Sequence, residues 1–136
     1  MFDDCLYFNL SSLTRSITEI WKTEFAKLGL SPSHGYLLFA MVECRGEQQK
    51  DYGGYLDLDA STVNRLIDAL VTKELVVKEG MGRGSEVSVT EKGKKEYRRI
   101  KKSMESLRLK MSDSLGEKRF NQLVGDLSSV RSVLTD

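Results

Sequence analysis

Ser61, Thr62, Asn64 and Arg65 stand together in the stretch from Asp59 to Lys73, and their types are those that read the edges of nucleic-acid bases. Arginine forks onto guanine, asparagine onto adenine, and hydroxyls pair with either kind of edge, so this cluster suits a DNA major groove entered by a helix end. The spacing of the apolar residues decides where the cluster points. Val63, Leu66, Ile67 and Leu70 recur at helical steps and define one stripe facing a core. Ser61, Thr62, Asn64, Arg65 and Asp68 are left on the opposite face. Asp59 precedes them as an N-cap, accepting from the free amides of the first turn.

The other chemistry-bearing residues are few. His34 is the only histidine of the 136 residues, so a histidine-rich metal cluster or a Ser-His-Asp triad would have to be built around one residue. It lies in Ser31-Pro32-Ser33-His34, which reads as a helix start with Ser31 as cap and Pro32 at the first position. There is no nucleophile and base pair and no phosphate loop, and the chain is read as no enzyme, with no cofactor and no metal site. Cys5 and Cys44 are too far apart in sequence for a CxxC pair and are expected as thiols. No apolar run is long enough to cross a bilayer and the N-terminus does not read as a secretion signal, so a cytoplasmic location without membrane contact is expected.

Charge is unevenly distributed although the net value is +1. Residues 46 to 93 hold six basic and nine acidic side chains, whereas residues 94 to 110 hold eight and two. The candidate reading segment is therefore acidic, with the positive charge beside it. The basic run from Lys94 to Lys102 is either a solvated helix face or a source of phosphate contacts from the flank.

The elements that must position the cluster follow from periodicity. Leu6, Leu10, Leu13, Ile17, Ile20, Trp21, Phe25 and Leu28 predict a helix from about Asp4 to Leu28. At 1.5 Å per residue it is roughly 36 Å long, which outreaches the core of a small domain and suggests packing on a second chain. Gly29 suits a left-handed cap at its end. A second helix is predicted from Pro32 to about Arg45, and a short third from Gln48 to Leu56 containing Gly53 and Gly54, a pair suited to close passage of another helix. Asp57 and Leu58 then form a turn into the helix capped by Asp59. Leu75 to Glu79 and Glu86 to Thr90 alternate as strands, with Val87 and Val89 on one face, joined by a glycine-rich tip that offers Arg83. Thr90 caps a helix to about Ser114 bearing Tyr97, Ile100, Met104, Leu107 and Met111, and a last helix from about Gly116 to Leu134 carries Phe120, Leu123, Val124, Leu127, Val130 and Val133. The fold class is mainly α with a small β-hairpin wing.

A short helix, a tight turn, a capped helix and a hairpin with an arginine at its tip make a winged helix-turn-helix. Here the sequence resembles the MarR family of transcriptional regulators. The resemblance rests on Leu58-Asp59-Ala60-Ser61-Thr62-Val63-Asn64-Arg65-Leu66-Ile67-Asp68-Ala69-Leu70, on Lys73-Glu74-Leu75-Val76-Val77, on Val87-Ser88-Val89-Thr90-Glu91-Lys92-Gly93, and on Gly29-Leu30-Ser31-Pro32. It implies helical dimerisation regions at 1–30 and 91–136 around a winged helix-turn-helix at 31–90. It also implies a homodimer on a palindromic double-stranded operator, acting as a repressor released by a small-molecule effector. Ser61, Thr62, Asn64 and Arg65 match the family's groove-facing positions and Arg83 its wing arginine, while Met81 stands where the family has an aspartate.

Two alternatives accompany this reading. Cys5-Leu6-Tyr7-Phe8 resembles the start of a peroxide-sensing subgroup, which implies a redox-sensing regulator using Cys5, although Pro32 and Gly35 stand where that subgroup carries tyrosines. The acidic balance of the reading segment is instead compatible with a winged-helix protein-interaction module without DNA binding. Trp21, Phe25, Tyr36 and Phe39 fit an effector pocket or, as aromatics at helical spacing more often do, a core.

Overall fold

The computed structural model describes residues 1–44, 49–80 and 86–135, with the backbone alone at 49 and 50. Its elements are α1 (Leu6–Ala26), α2 (Pro32–Glu43), α3 (Gln49–Leu56), α4 (Ala60–Thr72), β1 (Val76–Glu79), β2 (Glu86–Val89), α5 (Glu91–Leu115) and α6 (Glu117–Leu134). This is the expected mainly helical architecture with one antiparallel hairpin, in which Val76 pairs with Val89 and Glu79 with Glu86. Met1–Lys101 and Lys102–Asp136 form separate compact units, and α5 runs through the boundary.

The helix ends follow from local hydrogen bonding. At the end of α1 the Leu30 amide donates to the Phe25 carbonyl and the Gly29 amide to that of Ala26, with Gly29 at φ +70°. This is the paired closure of a Schellman cap, and it explains why α1 stops at Ala26 rather than Leu28. The same closure recurs where the sequence offers no glycine. Asp57 and Glu74 adopt φ of 55° and 62°, and the Leu58 amide reaches back to Gly53 and that of Leu75 to Leu70. Six-to-one bonds at both sites hold these residues in a region that side chains ordinarily avoid.

In the first unit, Phe25, Leu37, Leu38, Val63, Ile67, Leu70, Val76 and Ile100 are fully buried. The stripe on α4 is thus the core face, except that Leu66 is only half-buried. Phe25 lies against the backbone of α2, where a methyl group added at Gly35 would stand 2.2 Å from its ring. In the second unit Ser103, Leu107 and Met111 form the buried side of α5, while α6 buries no residue. Val124, Leu127, Val130, Val133 and Leu134 remain exposed on α6, as do Leu6, Leu10 and Leu13 on α1.

The two glycines of α3 differ in what surrounds them. A side chain at Gly53 would meet the Leu58 carbonyl oxygen at 2.8 Å, so the close approach comes from the turn into α4 rather than from a crossing helix. Around Gly54 there is open space. Gly54→Ala is accordingly expected to stabilise the protein by ~0.5 to 1 kcal/mol, through the lower entropy of the unfolded chain. Thermal unfolding of the variant measures this, and a lower midpoint would contradict it.

Candidate nucleic-acid interface

The N-terminal end of α4 is built around one carboxylate. Asp59 is the N-cap, with extended φ and ψ of −72° and 162°. Its Oδ1 accepts from the Thr62 amide at 2.7 Å and from the Ser61 hydroxyl at 2.9 Å. The amide and hydroxyl of Thr62, followed by the hydroxyl of Ser61, hold the Asp59 carboxyl below the usual carboxylate range. One turn further on, Arg65 Nη2 donates to Thr62 Oγ1 at 3.3 Å, so the guanidinium is drawn toward the helix start. Ser61, Asn64 and Arg65 are exposed and Thr62 is half-buried. The structure therefore brings Ser61, Thr62, Asn64 and Arg65 together on the solvent side of the helix that buries Val63, Ile67 and Leu70.

Both ends of α4 are anchored, which fixes the height at which this face stands. At the start, α3 passes close by, so that a methyl group added at Gly53 would stand 3.8 Å from Val63 Cγ2. At its far end, Lys73 Nζ donates to the Gly29 carbonyl at 3.2 Å and Lys92 Nζ donates to the Lys73 carbonyl at 3.0 Å. Thr90 ties the base of the hairpin to the same place, its hydroxyl donating to the Glu74 carbonyl at 2.7 Å and accepting from the Gly93 amide at 3.0 Å. The latter bond is the predicted capping of α5 by Thr90.

The remaining candidates lie elsewhere. Arg83 and the rest of the hairpin tip, 81–85, fall outside the described residues. On α5, Lys94 pairs with Glu91 and Arg99 with Glu96, each at 3.1 Å, Lys101 Nζ lies 5.9 Å from the centre of the Tyr97 ring, and Lys95 and Arg98 are exposed. Cys5 is the half-buried N-cap of α1, and Cys44, also half-buried, is the C-cap of α2. His34 sits in the first turn of α2, its amide donating to Ser31 Oγ at 3.3 Å. Burial, aided by the Lys73 charge, lowers its pKa. Trp21 Nε1 donates to the Tyr36 hydroxyl at 3.1 Å, and the Tyr36 ring stacks on Phe25, so these aromatics fill one another's space. Among the described residues no cluster of three His, Cys, Asp or Glu side chains could hold a metal ion, and no helix is long and apolar enough to cross a membrane.

Sequence reading treated Asp59 as a cap alone and missed its hold on Ser61. The spacing was the available signal, because side chains two and three residues into a helix lie over the N-cap position.

No protein-family model and no curated protein sequence matches the chain. Its three-dimensional form does match solved structures. A MarR-family transcriptional regulator from Rhodococcus sp. RHA1 superposes with a TM-score of 0.81 at 20% identity, covering 96% of each chain. The MepR–DNA complex of S. aureus matches with a TM-score of 0.83 at 17% identity, over 95% of this chain and 97% of that one. CouR from Rhodococcus jostii RHA1, bound to p-coumaroyl-CoA, matches with a TM-score of 0.81 at 21% identity, over 96% and 94%. The fold is that of MarR-family regulators along nearly the whole chain.

Proposed function

We propose that this chain is a non-enzymatic, sequence-specific DNA-binding transcriptional regulator, a cytoplasmic homodimer that represses from a palindromic operator and is released by a small ligand. The observation that carries the reading is the exposed face of α4, where Ser61, Thr62, Asn64 and Arg65 are gathered in the first two turns of a helix whose far end is tied down through Lys73. Hydroxyl, amide and guanidinium groups are the types that pair with base edges in the major groove. The likeness to a regulator seen on DNA and to one seen with a coenzyme A thioester supports an operator and an effector for this chain too.

The homodimer is supported by the exposed apolar rows on α1 and α6, which lie within the 1–30 and 91–136 regions assigned to dimerisation. Two copies of α4 related by a two-fold axis would meet half-sites about 34 to 36 Å apart. Arg83 belongs to the proposed interface as the cation of the hairpin tip. Residues 46 to 93 being net acidic, phosphate neutralisation by this module is limited, and the slope of log affinity against log salt is expected to be shallow. A protein-docking module would give no saturable duplex binding even at low salt.

Arg65→Ala tests the reading residue. It is expected to cost ~1 to 3 kcal/mol of operator affinity and to relax preference at one guanine position. Titration of the variant against duplexes carrying each base at that position measures both effects. Unchanged affinity and selectivity would show that Arg65 does not read a base.

A further inference from the structure

Asp59 does more than cap α4. A serine hydroxyl has one proton to give and two lone pairs with which to accept, and a free serine in the major groove can therefore pair with either a donor or an acceptor edge. Ser61 is not free in this sense. Its Oγ stands 2.9 Å from Asp59 Oδ1, and an ionised carboxylate only accepts, so the serine proton is committed to that bond. Asp59 is exposed and held as the carboxylate by its bonds to Thr62 and Ser61, so the commitment persists through the neutral pH range. What Ser61 can present outward is lone pairs. Thr62 is engaged in its own way, since Arg65 only donates and the Thr62 oxygen must accept from it at 3.3 Å. The exposed end of α4 thus has a fixed hydrogen-bond polarity, accepting at Ser61 and donating at Arg65.

From this arrangement we infer that Asp59 is a positioning residue for base selection: it makes Ser61 an obligate acceptor that selects the exocyclic amino group of adenine or cytosine. In the major groove only these two bases offer a donor, whereas guanine and thymine present acceptors and would face the serine lone pairs unpaired. The inference rests on the DNA-binding reading above and adds a second specified position to the guanine assigned to Arg65.

Selection of binding sites from a random duplex library, run in parallel for the wild-type protein and for Asp59→Gly, Asp59→Asn and Ser61→Ala, tests it. Glycine at an N-cap is tolerated with little loss, and asparagine caps as well as aspartate, so these variants are suited to keeping α4 intact. Wild-type sites are expected to show one position restricted to adenine or cytosine on one strand by about fivefold, the size of one hydrogen bond, and a separate guanine position. In D59G and S61A the adenine-or-cytosine position is expected to become indifferent while the guanine position stays. D59N retains an oxygen that accepts from Ser61 and is expected to keep both. A merely structural role for Asp59 would weaken both positions together.

Survival of the adenine-or-cytosine preference in D59G or in S61A overturns the inference, and so does its loss in D59N. A wild-type protein that selects guanine but has no adenine-or-cytosine position overturns it while leaving DNA binding in place. A wild-type protein that enriches no sequence at all removes the DNA-binding reading itself, and the inference with it.

Discussion

Replacing Val124, Leu127 and Val130 together by glutamate is expected to convert the protein to a monomer and to weaken operator binding by ~100- to 10,000-fold, the range lost when two linked sites become one. The three side chains follow one another at steps of three along α6 and are 49%, 39% and 44% exposed in the single chain. A soluble helix ordinarily buries such a row, as α4 does with Val63, Ile67 and Leu70, all at 2% exposure or less. On α6 no residue at all is buried, although Phe120 and Leu123 are partly covered. Contiguous apolar surface of this kind marks a place where another protein surface sits. A second copy is the occupant favoured by the proposed palindrome, since each α4 contributes one reading end.

Because none of these residues is buried in the single chain, charging them leaves its buried core intact. Far-UV circular dichroism of the triple variant is therefore expected to keep its helical signal while sedimentation velocity gives half the wild-type mass. Binding to a full palindrome and to a single half-site should then become nearly equal. A variant that still sediments as a dimer and still prefers the palindrome would move the interface away from α6.

The parts of this architecture that could be read from the letters are those where one local rule dominates. Asp59, Ser31 and Thr90 sit immediately before helices whose first-turn amides need an acceptor, and the side chain of each bonds there. Gly29 ends α1 in the conformation that glycine alone adopts freely. Where a helix closes without glycine, the letters say less. Asp57 stands in the turn read before α4 and is a residue type that tolerates the left-handed region, but nothing about Glu74 announces it; amide bonds back to the Gly53 and Leu70 carbonyls close the two sites. The pairing within the reading cluster was likewise hidden. Asp59 and Asp68 are the acidic residues nearest Arg65 in the sequence, yet the guanidinium donates to Thr62, three residues back on the same helix face. The apolar rows on α1 and α6 were visible as periodicity, but periodicity does not say whether a row meets its own chain or another.

Gly93→Ala is expected to destabilise the protein by ~3 kcal/mol, the upper end of the cost of overfilling a packed site, and to lower its unfolding midpoint by roughly 10 °C. A methyl group at Gly93 would stand 2.1 Å from the Leu75 carbonyl oxygen and 2.7 Å from Val89 Cγ1. The valine can rotate, but the carbonyl cannot move without consequence. That oxygen already accepts from the Thr90 amide at 3.0 Å, closing the base of the hairpin where Val76 pairs with Val89. Relief would require α5 to lift away from β1, breaking the Gly93 amide's bond to Thr90 Oγ1 and, beside it, the tie from Lys92 to the end of α4. Gly93 thus lets three elements meet at one point: the far end of the reading helix, the root of the hairpin and the start of α5. The contrast with Gly54→Ala makes the experiment decisive, because the same substitution in open space should raise the midpoint. If G93A melted at or above the wild-type temperature, α5 would not rest on the Leu75 carbonyl. The bracing that sets the height of Ser61 and Arg65 would then have to come from elsewhere.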